Sequence, residues 1–210
     1  MRKRVLGAVL GALILIAACA PTTSSGLPSG PCATFPPPTV AVVEFGNTTG
    51  RYGITVIGAE SAATARMITL LLGTGCYDVL EASQVRNVMA RQGLQPTQAE
   101  EIGRATGAVY VVTGAVTRAT FRQPRMAAFR VRLGANEAEV EVDVRVTDVA
   151  SGRVVVSMTG SGSAVVPQVS IHAIPAAGTI SFEDRNLGPA LADAATDALI
   201  DVVAEIRRTF

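Results

Sequence analysis

The sequence predicts an α/β (α+β) domain, a mixed sheet with packed helices and two extended β-hairpins. Three observations carry this. From Thr39 to Gly114, apolar strand-like runs and amphipathic helical stretches follow one another in the order β-α-β-α-α-β, which calls for a sheet with helices on its faces. From Arg125 to Val146, polar and apolar residues alternate singly, the period of a strand with one face buried. From Pro189 to Arg208, apolar residues recur at helical spacing.

The chain opens with a different signature. Arg2, Lys3 and Arg4 precede an uncharged apolar run from Val5 to Ala18. That run falls short of the roughly 20 apolar residues of a membrane helix but suits the core of a signal peptide. It ends in Ile16-Ala17-Ala18-Cys19, which resembles the bacterial lipobox. The resemblance implies cleavage before Cys19 and a diacylglycerol on its thiol, because only a thiol at the cut site can be alkylated. Ala20 is not the acidic residue that retains such lipoproteins at the inner membrane, so the expected location is the outer membrane, lipid-anchored and facing the periplasm. Residues 1–18 are thus read as signal peptide and 19–38, rich in Pro, Ser, Thr and Gly, as a lipidated tether unable to bury a core.

Composition bounds the remainder. Formal net charge is +1 with 17% charged residues, and no basic block follows the signal, which excludes a nucleic-acid surface. Cys32 and Cys76 are the other two cysteines. In an oxidising periplasm the pair suggests a disulfide. The alternative leaves Cys76 a small buried apolar residue and Cys32 in the tether. Their spacing is no metal motif, and His172 is the sole histidine. No metal and no cofactor are expected.

Within the domain, residues 39–210, Thr39–Phe45 reads as a buried strand and Gly46–Gly58 as a loop. Ala62, Ala65, Met67, Ile68, Leu71 and Leu72 predict a helical apolar face, and Tyr77–Leu80 a second strand. Ser83 is the expected N-cap of a helix ended by Gly93. Thr97 and Glu100 form a capping-box pattern for another helix, stopped at Gly107. The apolar strand Ala108–Gly114 follows.

Then comes a first hairpin, at about 119–146, with arms Arg125–Leu133 and Glu137–Val146 around Gly134-Ala135-Asn136. Phe129, Val131, Leu133, Val140, Val142 and Val144 share one face; Arg130, Arg132, Glu139, Glu141 and Asp143 share the other. After a turn at Asp148–Gly152 and the strand Arg153–Met158, a second hairpin is expected at about 165–183. The closing helix carries Leu191, Ala195, Leu199, Val202 and Ile206 on one stripe.

The strand "VAVVEF", the stretch "GCYDVLEASQVRNVM", the segment "GRATGAVYVVTGAV" and the pair "VEVDVRVTDVASGRV" occur in the order found in CsgG-like proteins, which this chain resembles over residues 39–208. The weight rests on the ordered set together with the lipobox. The resemblance implies an outer-membrane secretion channel. Periplasmic domains would form a homo-oligomeric ring, and two hairpins per subunit would join a ring-shared transmembrane β-barrel. Unfolded curli-like or other surface-fibre subunits would then pass without ATP.

It also makes Asn47 and Tyr52 the candidates for a constriction loop, and Arg130, Arg132, Glu139, Glu141 and Asp143 the candidates for lining the pore. The apolar hairpin face would contact the lipid bilayer. The sequence departs from this pattern in a shorter loop, a shorter first hairpin, and hairpins without Trp or Tyr, where membrane barrels carry aromatic girdles. A wholly periplasmic sheet with one wet face is the alternative. On it, the protein would be a lipoprotein that binds and regulates a partner, such as a peptidoglycan synthase.

Enzyme readings find no support. Gly-x-Ser-x-Gly, a phosphate loop and Cys-x-x-Cys are all missing, and Lys3 is the only lysine. Gly160-Ser161-Gly162-Ser163 reads as a strand bend rather than an anion cradle. The adjacent Glu183 and Asp184 suit capping of the last helix, and His172 has no visible partner. No catalytic residue is assigned.

Overall fold

The computed structural model describes Leu27, residues 30–52, 54–122, 136–166, 178–182, Arg185 and residues 187–210. Its strands are β1 (Thr39–Val42), β2 (Gly46–Asn47), β3 (Ile54–Ile57), β4 (Asp78–Leu80), β5 (Tyr110–Arg122), β6 (Asn136–Asp148), β7 (Val154–Val166) and β8 (Gly178–Ser181). Its helices are α1 (Ala59–Gly73), α2 (Ala82–Gln92), α3 (Ala99–Thr106) and α4 (Gly188–Thr209).

The main sheet has the order β4-β1-β5-β6-β7, with β2 beside β5. β1 lies parallel to both β4 and β5, Val40 standing opposite Val79 on one side and Tyr110 on the other. β5, β6 and β7 continue the sheet as an antiparallel meander. β3 and β8 form a separate parallel pair whose Ile54, Val56 and Ile180 join the main core. This is a mixed α+β fold, and among the described residues no sheet closes into a barrel.

The sheet is buried on two faces by different helices. On one face α1 and α4 cover Val40, Val42, Val112, Val140, Val142 and Val144. On the other, α2 and α3 place Val85 and Ile102 over Ala41, Val43 and Val111. α4 supplies the largest share, burying Leu191, Ala195, Leu199, Val202 and Ile206. Each large aliphatic side chain so buried contributes on the order of 1.5–3 kcal/mol.

α4 reaches β7 at two glycines. A Cβ on Gly160 would lie 2.0 Å from the Ala198 carbonyl oxygen, and one on Gly162 would lie 2.1 Å from that of Ala194. Gly160–Ser163 is therefore neither a bend nor a cradle but a stretch of regular strand against which a helix backbone lies.

The structure corrects the first arm of the expected hairpin at about 119–146. The partner of Glu137–Val146 is β5: Val140 stands opposite Ala119 and Val144 opposite Gly114, with β7 on the other side. Both edges of β6 are thus occupied, leaving none for Arg125–Leu133, which lies outside the described residues. The reason is that alternation continues past Gly114 to Arg122, and the long ladder so formed outweighs a tight local turn.

The expected loop at 46–58 also contains structure, namely β2, a 3₁₀ turn at Thr49–Tyr52 and β3. The second hairpin's tip and His172 fall in 167–177, which, with Glu183 and Asp184, is outside the described residues.

The last part of the tether lies on the domain. Cys32 and Cys76 are bonded, with Cα atoms 5.2 Å apart. Arg207 donates to the carbonyl oxygens of Gly30 and Pro31, the latter at 3.4 Å. Leu27 packs against the core beside Gly73. Nearby, Phe210 stacks on Tyr110 with ring centroids 3.8 Å apart, and the Tyr77 hydroxyl donates to the Phe210 carbonyl at 3.0 Å.

Candidate functional site

The charged residues singled out on β6 gather on the sheet face opposite α4, because alternation sends Val140, Val142 and Val144 inward and their neighbours outward. Each carboxylate is met by an adjacent strand. Glu139 accepts from the Thr120 hydroxyl at 3.4 Å, and Glu141 pairs with Arg118 at 3.2 Å. Asp143 accepts from the Thr159 hydroxyl at 2.6 Å. This face extends beyond the cover of α2 and α3, so it stays open to water. Glu139, Glu141, Ser161, Ser163 and Asp197 line a polar cavity of about 310 Å³ there.

Asp197 was not among the residues the sequence reading selected. It projects from the exposed side of α4 and accepts from the Ser163 backbone N–H at 3.3 Å, at the edge of β7 that has no strand partner among the described residues. The signal for it was present: Asp193, Asp197 and Asp201 recur every four residues opposite the apolar stripe. Arg130 and Arg132, the other candidate pore residues, lie outside the described residues, as does Cys19.

Asn47 occupies a half-buried junction in which both of its polar atoms are engaged. Its amide donates to the Val56 carbonyl at 2.7 Å and to Glu60 at 2.8 Å, while its oxygen accepts from the Thr49 hydroxyl at 2.8 Å. The Thr49 hydroxyl in turn accepts from the Val56 N–H at 3.0 Å. These bonds pin β2, the 3₁₀ turn and β3 to the start of α1. The backbone of Tyr52 closes that 3₁₀ turn.

A second concavity sits at the carboxyl end of β1, where α1 and α2 leave opposite faces of the sheet, the place where open α/β sheets form crevices. Its volume is about 410 Å³; Val43, Phe45, Met89 and Pro96 line it, and a Glu44–Arg86 ion pair of 3.3 Å stands at its rim. Among the described residues, no group of three His, Cys, Asp or Glu could hold a metal ion, and no helix is long and apolar enough to cross a membrane.

The family model for the curli production assembly/transport component CsgG matches residues 33–209. No curated protein matches the chain. Among solved structures, the PelC dodecamer from Paraburkholderia phytofirmans is 22% identical, with a TM-score of 0.49, covering 87% of this chain and 95% of that one. Lipoprotein GNA1162 from Neisseria meningitidis is 15% identical, with a TM-score of 0.46, covering 63% and 87%. The LpoB C-terminal domain from Escherichia coli is 19% identical, with a TM-score of 0.41, covering 60% and 82%.

Proposed function

From the premise that the chain belongs to the CsgG family of curli production assembly/transport components, we propose that it is a ring-forming subunit of an outer-membrane secretion channel. Lipid on Cys19 anchors it, and unfolded curli-like or other surface-fibre proteins pass through the ring without ATP.

One observation carries this reading. β5 and β7 run in the same direction, so the connections 123–135 and 167–177 both leave from one end of the sheet. Two hairpins per subunit can close a shared barrel only from such a placement. The wet face bearing Glu139, Glu141 and Asp143 suits a lumen, where charges keep their hydration, and Arg130 and Arg132 would extend it.

A second reading, a periplasmic lipoprotein that binds and regulates a partner without a pore, has its own observation. α4 fully covers Val140, Val142 and Val144, so these residues meet the domain's core rather than lipid. Residues 123–135 alone, running out and back, reach no farther than about 25 Å. The hydrocarbon layer is about 30 Å thick.

Conductance of the detergent-extracted, lipidated protein across planar bilayers separates the two. The channel conducts, and Glu139→Gln with Glu141→Gln shifts its selectivity toward anions, since two negative charges leave the lining. A folded, lipidated protein that never conducts sinks the channel and leaves the regulator.

A further inference from the structure

The sheet face that carries α2 and α3 bears a trough running across its strands. The cavity at the carboxyl end of β1 continues beneath Pro96, past Thr113 and Gly114, into a second one of about 420 Å³. Register sets the floor of that second cavity. Arg145 stands opposite Thr113 of β5, and Thr147 stands opposite Val154 of β7. Side chains alternate along a strand, so Asp143, Arg145 and Thr147 share this face, away from α4. From Arg145 on β6 to Val43 beyond β1 the trough crosses β5. Two strand spacings are roughly 10 Å, the span of about three residues of extended chain.

Two polar groups on the floor are unused. Thr147 is only 8% exposed, yet its hydroxyl has no hydrogen-bond partner among the described residues. Polar groups so nearly buried are normally bonded, because desolvating one without a partner costs free energy. Arg145 has no carboxylate within ion-pair distance among the described residues, whereas Arg86 and Arg118 are paired with Glu44 and Glu141. Asp143, which lines the same cavity, accepts from the Thr159 hydroxyl at 2.6 Å instead.

This end of the trough is therefore shaped for an anion. A carboxylate fits best: it matches the guanidinium as acceptor to paired donors, and Asp143 repels a singly charged group less than a doubly charged phosphate. The other end is apolar, formed by Val43, Phe45 and Met89, and the Glu44–Arg86 pair at its rim cancels its own charge. Between the ends, Thr97 and Thr113 place hydroxyls in the trough. That suits the amides of a peptide and not an unbroken hydrocarbon chain. An apolar pocket beside a few convergent polar groups is the usual make-up of a ligand site.

We propose that this trough binds an extended segment of a partner protein. Arg145 and Thr147 hold its carboxylate, and Phe45 and Met89 receive an apolar side chain about three residues away. The carboxylate is a chain terminus or an acidic side chain, which present the same group. The trough lies in the body of the domain, so the proposal goes beyond the channel reading and does not require it.

Fluorescence anisotropy of the detergent-extracted, lipidated protein tests it with labelled tetrapeptides. These have a free terminal carboxylate, leucine at one of the first three positions, and alanine elsewhere. At least one binds saturably. Arg145→Gln weakens that binding roughly ten-fold or more, and the isosteric Thr147→Val about three-fold, with circular dichroism unchanged. Met89→Ala also weakens it about three-fold. Amidating the terminus weakens binding to the wild type but not to Arg145→Gln, a coupling that a purely structural role for Arg145 does not produce. Glutamate in the last position of the amide separates the two sources: binding regained supports a side chain, binding not regained supports a terminus, and both keep the site. The proposal is overturned if no peptide binds saturably, even where dodecanoate does, or if the wild type binds acid and amide alike. Either failure leaves the conductance test of the channel untouched.

Discussion

Gly162 shows how a single residue reads differently once its neighbour across space is known. In sequence, Gly160-Ser161-Gly162-Ser163 reads as a strand bend. In the fold, the glycines let the backbone of α4 lie directly on β7, a contact with residues more than thirty positions downstream that no local pattern announces. Gly162→Ala must lift the helix away, and is expected to destabilise the domain by about 2–3 kcal/mol in a denaturant titration, the upper range for overpacking.

Tyr77 acts through its proton. Burial pushes its phenol from 10.0 up to about 12, against the opposing pull of Arg207. Between those values the folded state holds a proton that the unfolded chain has released, so stability is complete below pH 10 and declines as pH rises toward 12. Tyr77→Phe should flatten that part of the stability–pH curve; an unchanged slope between pH 10 and 12 would assign the loss to other groups.

At the scale of elements, punctuation was legible and partners were not. Gly93 and Gly107 end α2 and α3 with φ of 66° and 75°, as glycine after a helix suggests. The capping side chains foreseen at Ser83 and Thr97 are not used: α2 is preceded by Glu81, and Gln98 binds the Gln95 N–H at 2.8 Å. α1 buries Ala63, Met67, Leu70 and Leu71, a face partly rotated from the expected one, because α4 rather than the sheet alone sets its packing.

Strand lengths were underestimated for a related reason. Past Gly114 and Met158 large apolar residues thin out to Val116, Phe121, Val165 and Val166, and only the neighbouring strands show that these stretches continue β5 and β7. Of the candidate site, the alternation on β6 revealed Glu139, Glu141 and Asp143, but their partners Arg118, Thr120 and Thr159 depend on a register that single-sequence periodicity does not contain.

The tether is also an element-scale matter. Closing the 44-residue separation between Cys32 and Cys76 is worth about 3–4 kcal/mol in the chain-entropy model. Cys32→Ser with Cys76→Ser should lower the denaturation midpoint accordingly under non-reducing conditions. Equal midpoints with both thiols alkylatable in the wild type would remove the bridge.

For the whole molecule, the antiparallel meander gives the body a long axis. The tether is fastened at one end of it, where Cys76, Tyr77, Tyr110 and Phe210 meet. The end of β5, the start of β6 and the end of β7 lie at the other, a full β5 away, which is about 40 Å at strand rise. From Cys19 to Leu27, which packs on the core, the chain extends to about 30 Å at most.

Mooring line is therefore shorter than hull. On the proposed lipid at Cys19, such a line holds the Phe210 end toward the leaflet and keeps the opposite end of the sheet away from it. That far end could meet the same leaflet only once Leu27 lets go of the core. The Cys32–Cys76 fastening then sets how much line is paid out, so posture at a membrane, and not stability alone, depends on where the segment is tied.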